Sequence, residues 1–257
     1  MKYHIKLSRE MIKGAKIAIL PGDPGRVEKT AKTLSPDAVF LASNREYTSW
    51  LSEVEGNKIL VCSTGIGGPS LSIAVEELAG LGIEYFIRIG TTGAIQPFIN
   101  IPSLIITTGA VRLDGASKHY APIEYPAVGD IDVINALIAG AKKADIPHYT
   151  GITASSDTFY PGQERYDTFS KYVIKDFQSS LEQWQKLNVL NFEMESATLF
   201  TIASAFGLKA SCIASVIVNR TKNETPDDSV LAAAEKDLAD AVKHAVEHLI
   251  NGNGGNV

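Results

Sequence analysis

The residues with the most evident chemistry stand together at Arg88-Ile89-Gly90-Thr91-Thr92-Gly93. They close a short apolar run beginning at Tyr85, the pattern of a buried strand. An arginine inside such a run needs an anionic partner. The Gly-Thr-Thr-Gly turn lets backbone approach a ligand and sets hydroxyls beside N–H groups. A guanidinium next to that turn makes an oxyanion cradle. The same pattern also describes a strand end with a buried arginine–carboxylate pair, and this stretch alone leaves both readings open.

Four other stretches carry chemistry. Pro21-Gly22-Asp23-Pro24-Gly25-Arg26 makes a tight turn after a strand, with Asp23 as helix cap and Pro24 at the first helical position. The Gly22 N–H and Arg26 form a second candidate anion cradle, or an ordinary strand-to-helix turn. Ser63-Thr64-Gly65-Ile66-Gly67-Gly68-Pro69-Ser70 invites comparison with a dinucleotide fingerprint. Pro69 and Ser70 break that pattern, and the next strand ends in Arg88 and Gly90 with no ribose-binding acid, so a dehydrogenase is excluded. Ser155–Tyr166 is rich in polar and aromatic groups and poor in core formers, as functional loops are. Finally, Glu193 and Glu195 open an apolar helix two residues apart, so they do not share a helix face. They diverge into a pocket or serve as an acidic pair favourable to the macrodipole.

Strands are expected at Ile17–Leu20, Ile59–Cys62, Tyr85–Ile89, Leu104–Thr108, Tyr149–Ala154 and Ala210–Val218. Arg112–Gly115 is expected to turn away from the fourth of these, and a hairpin to turn at Glu55-Gly56-Asn57. Helices are expected to reach about Leu34 and about Leu81, to span Asp132–Ala144, to run from Asn191 to about Phe206, and to close the chain at Pro226–Ile250. Residues 170–190 read as an irregular helical excursion. This alternation predicts one α/β domain over residues 1–257, with a central mixed, largely parallel twisted sheet and a flexible tail at 251–257.

Composition agrees with a soluble globular chain: 257 residues, 45% hydrophobic and 21% charged. A net charge of -5 argues against nucleic acid as a partner, while a local anion site stays possible. Cys62 and Cys212 lie in apolar runs and read as buried thiols of a reducing compartment, without disulfide or zinc spacing. No run is long enough to span a bilayer and no secretory h-region is seen, so the expected location is cytoplasmic.

Taken together, Pro21–Arg26, Cys62–Ser70, Arg88–Gln96, Ser155–Tyr166 and Asn191–Ala197 resemble the hexameric nucleoside phosphorylases over nearly the whole chain. Phe159-Tyr160-Pro161-Gly162-Gln163-Glu164-Arg165-Tyr166 is the most specific of these signals. The resemblance implies phosphorolysis of uridine by phosphate to uracil and ribose 1-phosphate, in a homohexamer. Gly22, Arg26, Arg88 and Thr91 would hold phosphate, joined by Arg45 from a neighbouring subunit. Glu193, Met194 and Glu195 would hold ribose, with His4 entering from the neighbour. Phe159, Gln163 and Arg165 would meet the base, walled by Ile217 and Val218 and supported by Arg220. Arg165, Gln163, Arg88 and Glu195 are the expected catalytic groups. No cofactor is implied for catalysis, but a structural potassium ion at a subunit interface is, on Glu46, Ile66 and Ser70. Asn44 and Phe98 depart from the family pattern and are expected to lie away from the chemistry. Purine enzymes of this class place an Asp after the last strand, whereas Asn219-Arg220 stands here, which favours a pyrimidine.

Overall fold

Ile17 and Ile19 point to one side of a strand and Ala18 and Leu20 to the other, and all four are buried. A strand buried on both faces sits in the middle of a helix–sheet–helix arrangement. The computed structural model describes residues 1–222, 225 and 228–252. A short α1 (Arg9–Ile12) leads into β1 (Ile17–Pro21), α2 (Val27–Leu34), β2 (Val39–Asn44), β3 (Tyr47–Val54) and β4 (Asn57–Cys62). There follow α3 (Gly68–Ala79), β5 (Tyr85–Ala94), β6 (Ser103–Leu113), β7 (Ala127–Val128), α4 (Ile131–Lys143) and β8 (His148–Ser156). The chain then forms α5 (Ser180–Lys186), β9 (Asn191–Glu193), α6 (Ser196–Phe206), β10 (Lys209–Asn219) and α7 (Asp228–Gly252). Pro226, expected to open the last helix, and residues 253–257 of the expected tail lie outside the described residues. Asn251 and Gly252, expected in that tail, belong to α7.

The sheet is mixed, but it is not largely parallel. Among the described residues five pairings are parallel and five antiparallel. β5, β10, β6, β8 and β9 close into a ring, and β1, β4, β3 and β2 extend from β5 as an open wing. Within the ring β6, β8 and β9 run opposite to β5 and β10. Strand direction leaves no mark on hydrophobic periodicity, so alternation alone could not reveal this reversal. β9 was expected to be helix; its Phe192 and Asn191 instead pair with Gly93 and Ala94 of β5, closing the ring.

Two cores flank the sheet. Ile17, Ile19, Ile87 and Ile89 meet Val27, Leu137 and Val246 from α2, α4 and α7. Ala18, Leu20 and Phe86 meet Leu71, Leu199 and Ile202 from α3 and α6. By the alternation of β5, Arg88 follows Phe86 onto the second face, toward the start of α6. β6 runs on through Arg112 instead of turning there, because its pairing with β8 continues to Leu113 opposite Ser156, and the Arg112 guanidinium is held by the carbonyls of Ala121, Pro122 and Tyr125 and by the Ser117 hydroxyl. Both cysteines are buried free thiols, pushed up by burial to about 11 for Cys62 and about 12 for Cys212.

Candidate active site

β1, β5 and β10 run parallel, so their carboxyl ends share one side of the sheet, where ligands of open α/β sheets bind. A cavity of about 360 Å³ lies there. Gly22, Arg26, Arg88 and Thr91 line it together with Glu193, Met194 and Glu195 and with Phe159, Gln163, Arg165, Ile217 and Val218. All the residues expected from one chain around phosphate and sugar are therefore present. Asp23, Phe192 and Ile66 also line it.

Each side chain has a local cause. Asp23 caps the turn at Pro24–Arg26, its carboxylate accepting from the Gly25 N–H at 2.8 Å. Ile217 and Val218 are consecutive in a strand yet both reach the cavity, because a bulge between Val216 and Val218 leaves Ile217 unpaired. Thr92 is tied into the sheet, donating to the Phe192 carbonyl at 2.6 Å and accepting from the Asn191 amide at 2.8 Å. Thr92 and its neighbour Thr91 both line the cavity.

Arg88 combines both readings of its sequence. It is buried, and its Nη2 donates to Glu195 Oε2 at 2.8 Å. Its Nη1 donates to the Leu20 carbonyl at 3.2 Å and to that of Ile89. Burial is the largest effect and works against this charge, but the Glu195 carboxylate, together with Cys212 and Glu193, outweighs it and the pKa lies above the ordinary value. A Cβ added at Gly22 or at Gly90 would stand 3.2 Å from a guanidinium nitrogen of Arg88. A side chain at either position would press on the guanidinium and shift it by a few tenths of an ångström. The other Glu195 oxygen accepts from the Gly67 N–H at 2.7 Å, and Gly67 has φ +91°, a backbone that side chains disfavour.

Glu193 is equally well placed. Its Oε2 accepts from the N–H groups of Glu195 and Ser196, both at 2.8 Å, and so caps α6. Its Oε1 is buried without a sound hydrogen bond, although the Ser155 hydroxyl is close enough to favour the charged form. Burial, followed by the neighbouring Glu195 charge, holds its pKa above the ordinary 4.5. The folded state thus keeps this proton longer than the unfolded chain. Its stabilising effect is complete below pH 4.5 and is lost as pH rises through the folded value. Glu193→Gln, which mimics the protonated acid, is expected to flatten the profile of Tm against pH in that window and to exceed the parent Tm above it. Parallel profiles for the two proteins would contradict this.

At the base end Arg165 stacks on Phe159, its Cζ 4.2 Å from the ring centroid. Arg220, expected among the residues on the base side, does not line the cavity; its Nη1 donates to the Gln163 carbonyl at 2.8 Å. Glu235 of α7 is a residue that the sequence did not single out. It binds Arg26 Nε at 3.0 Å and Lys29 at 2.9 Å, and an acid on an amphipathic helix carries no signal of such a role.

His4 and Arg45 do not line the cavity of their own chain. Arg45 is exposed at the β2–β3 turn, with φ +55°. His4 Nδ1 lies 2.8 Å from Glu77 Oε1, and the His4 and Ile5 N–H groups donate to the same carboxylate. Asn44 is not remote from this group, because its amide donates to the His4 carbonyl at 2.7 Å. Phe98 is exposed and packs on Tyr149. Glu46, Ile66 and Ser70 do come together. Ser70 Oγ donates to the Ile66 carbonyl at 3.1 Å, and a Cβ at Gly65 would touch both Glu46 Cγ and Ser70 Oγ. Carboxylate, carbonyl and hydroxyl make an all-oxygen set suited to a hard cation. Among the described residues no cluster of three or more His, Cys, Asp or Glu side chains could hold a metal.

The chain belongs to the phosphorylase superfamily, whose family model matches residues 16–251. Within that class it is 55% identical to the uridine phosphorylase of Haemophilus influenzae, over 97% of this chain and 98% of that one. It is 53% identical to the uridine phosphorylase of Escherichia coli, over 96% and 98%. A guanosine phosphorylase of Halorubrum lacusprofundi is more distant, at 37% identity over 88% of this chain and 90% of that one. No described helix is long and apolar enough to cross a membrane.

Proposed function

We propose that the chain is a pentosyltransferase that cleaves uridine with phosphate to uracil and ribose 1-phosphate, reversibly, in cytoplasmic pyrimidine salvage. One observation carries the reading: a single cavity is lined by Arg26 and Arg88, by Glu193, Met194 and Glu195, and by Phe159, Gln163 and Arg165 together. Identity above 50% to uridine phosphorylases supports it.

The chemistry follows from the charges. Attack of phosphate at the anomeric carbon passes through an oxocarbenium-like state, as in glycoside cleavage. Arg26, Arg88, Thr91 and the Gly22 N–H hold the dianion beside that cation. Glu195 and Met194 bind the sugar, with Glu193 beside them. Uracil leaves as an anion, with Arg165 taking up charge developing on a pyrimidine oxygen and Gln163 matching an N–H and a carbonyl together. Asn219-Arg220 offers no acid to protonate a purine N7. A phosphorolysis panel tests this choice: uridine fast, thymidine slow but measurable, cytidine and inosine close to inert. Inosine cleaved as fast as uridine would overturn the pyrimidine assignment.

The site is shared between subunits of a homohexamer. Arg88 and Arg26 are already matched by Glu195 and Glu235, so a dianion calls for further positive charge. Arg45 of a neighbour supplies it, and His4 of a neighbour reaches the ribose. A potassium ion on Glu46, Ile66 and Ser70 belongs at that interface, where a second copy completes the oxygen set. Arg45→Ala chains and Arg165→Ala chains, each weakly active alone, are expected to regain activity when mixed, with about a quarter of sites intact after random exchange. No recovery despite confirmed exchange would contradict the shared site.

A further inference from the structure

Gln163 and Arg165 are both buried against the cavity, and the residue between them is bent into a left-handed backbone, with Glu164 at φ +52°. Glu164 ends the 3₁₀ turn Pro161–Gln163. Its N–H donates to the Pro161 carbonyl at 3.0 Å, and the Arg165 N–H to the Tyr160 carbonyl at 2.8 Å. These two bonds have the Schellman pattern, in which glycine is the usual left-handed residue. Glutamate has no intrinsic liking for that conformation. The surroundings must therefore impose it.

The carboxylate shows how. Its Oε1 accepts from the Ser179 N–H at 2.5 Å, and its Oε2 from the Leu181 N–H at 2.7 Å. The Tyr166 hydroxyl donates to Oε1 at 3.2 Å. Glu164 thus ties the turn to the start of α5, a segment that does not line the cavity. The turn it fixes brings the Arg165 guanidinium onto Phe159 and the Gln163 carbonyl onto Arg220.

We propose that Glu164 is a positioning residue for base recognition: docked on the Ser179 and Leu181 N–H groups, it holds the turn that sets Gln163 and Arg165 against uracil. The proposal rests on the uridine reading. Glu164→Ala keeps the backbone strain and loses the tether. Glu164→Gly loses the tether but suits the left-handed backbone. Glu164→Gln keeps an acceptor and the shape. Steady-state kinetics with uridine and phosphate varied separately distinguish the roles. The alanine variant is expected to lose about 10- to 100-fold in kcat/KM for uridine, the scale of a misplaced positioning contact. Its KM for phosphate stays within about twofold, since the turn holds Gln163 and Arg165 and none of the residues assigned to phosphate, and its preference for uridine over cytidine narrows by about the same factor as uridine is lost. The glycine variant shows a smaller loss in the same direction, and the glutamine variant the smallest. Should the alanine variant fail to fold, the glycine and glutamine variants carry the test. Uridine kinetics within about twofold of the parent in the alanine or glycine variant, or a phosphate KM that rises in step with that for uridine, would overturn the assignment. A parent that does not cleave uridine fails the functional reading itself, whereas an active parent with unmoved variants fails only the role of Glu164.

Discussion

Arg88→Met is expected to lower kcat/KM for phosphorolysis by about 10³-fold, the scale of losing a preorganised oxyanion donor. It is also expected to lower folding stability by about 3–5 kcal/mol, because Glu195 is left as a buried carboxylate without its cation. The two losses arise from different partners, phosphate and Glu195, and are separable. In the double variant Arg88→Met, Glu195→Gln both buried charges are gone, and the amide oxygen still accepts from the Gly67 N–H. Stability is then expected to return toward the parent value, since a buried pair replaced by neutral groups of similar volume is often tolerated. Activity stays lost. Thermal unfolding beside steady-state kinetics reads both. A double variant that regains activity along with stability would return Arg88 to a purely structural role.

Arg165→Ala is expected to remove most of the discrimination between uridine and cytidine. Uracil offers an N–H donor at N3 and a carbonyl acceptor at O4, and cytosine inverts both. A guanidinium has only donors and meets the cytosine amino group with nothing to bond. A site built to hydrogen-bond one pattern rejects the other by about 10⁴-fold when its polar groups are left unpaired. Thymine adds only a methyl, which space alone resists weakly. The ratio of kcat/KM for uridine and cytidine, in the parent and the variant, checks the account. Parent turnover of cytidine within about tenfold of uridine would contradict it. So would an Arg165→Ala enzyme that kept both its uridine rate and its preference.

Much of this site was legible in the residues. The turn after β1 announced itself through Asp23, Pro24 and two glycines. Residues 159–166 stood out because aromatic and polar groups replaced core formers. Arg88 was visible as a charge inside an apolar run, though its sequence could not say whether carboxylate or phosphate was its partner. The structure gives it the carboxylate and leaves it beside the cavity. Ring closure was not legible. β9 has three residues, too few to show a period, and it merges into the apolar pattern of α6. The pairing of Arg26 with Glu235 spans more than two hundred residues, and nothing local in α7 marks one acid among several. Glu164 hid for another reason: a left-handed glutamate reads as an ordinary polar loop residue until its backbone is seen.

The most direct measurement follows free uracil from uridine in the presence and absence of inorganic phosphate, with the sugar product identified. The cavity predicts uracil and ribose 1-phosphate in equal amounts, release that saturates with phosphate, and almost none without it. Release of uracil at the same rate without phosphate, with free ribose as the product, would contradict the reading of Arg26, Arg88 and Thr91 as a phosphate site.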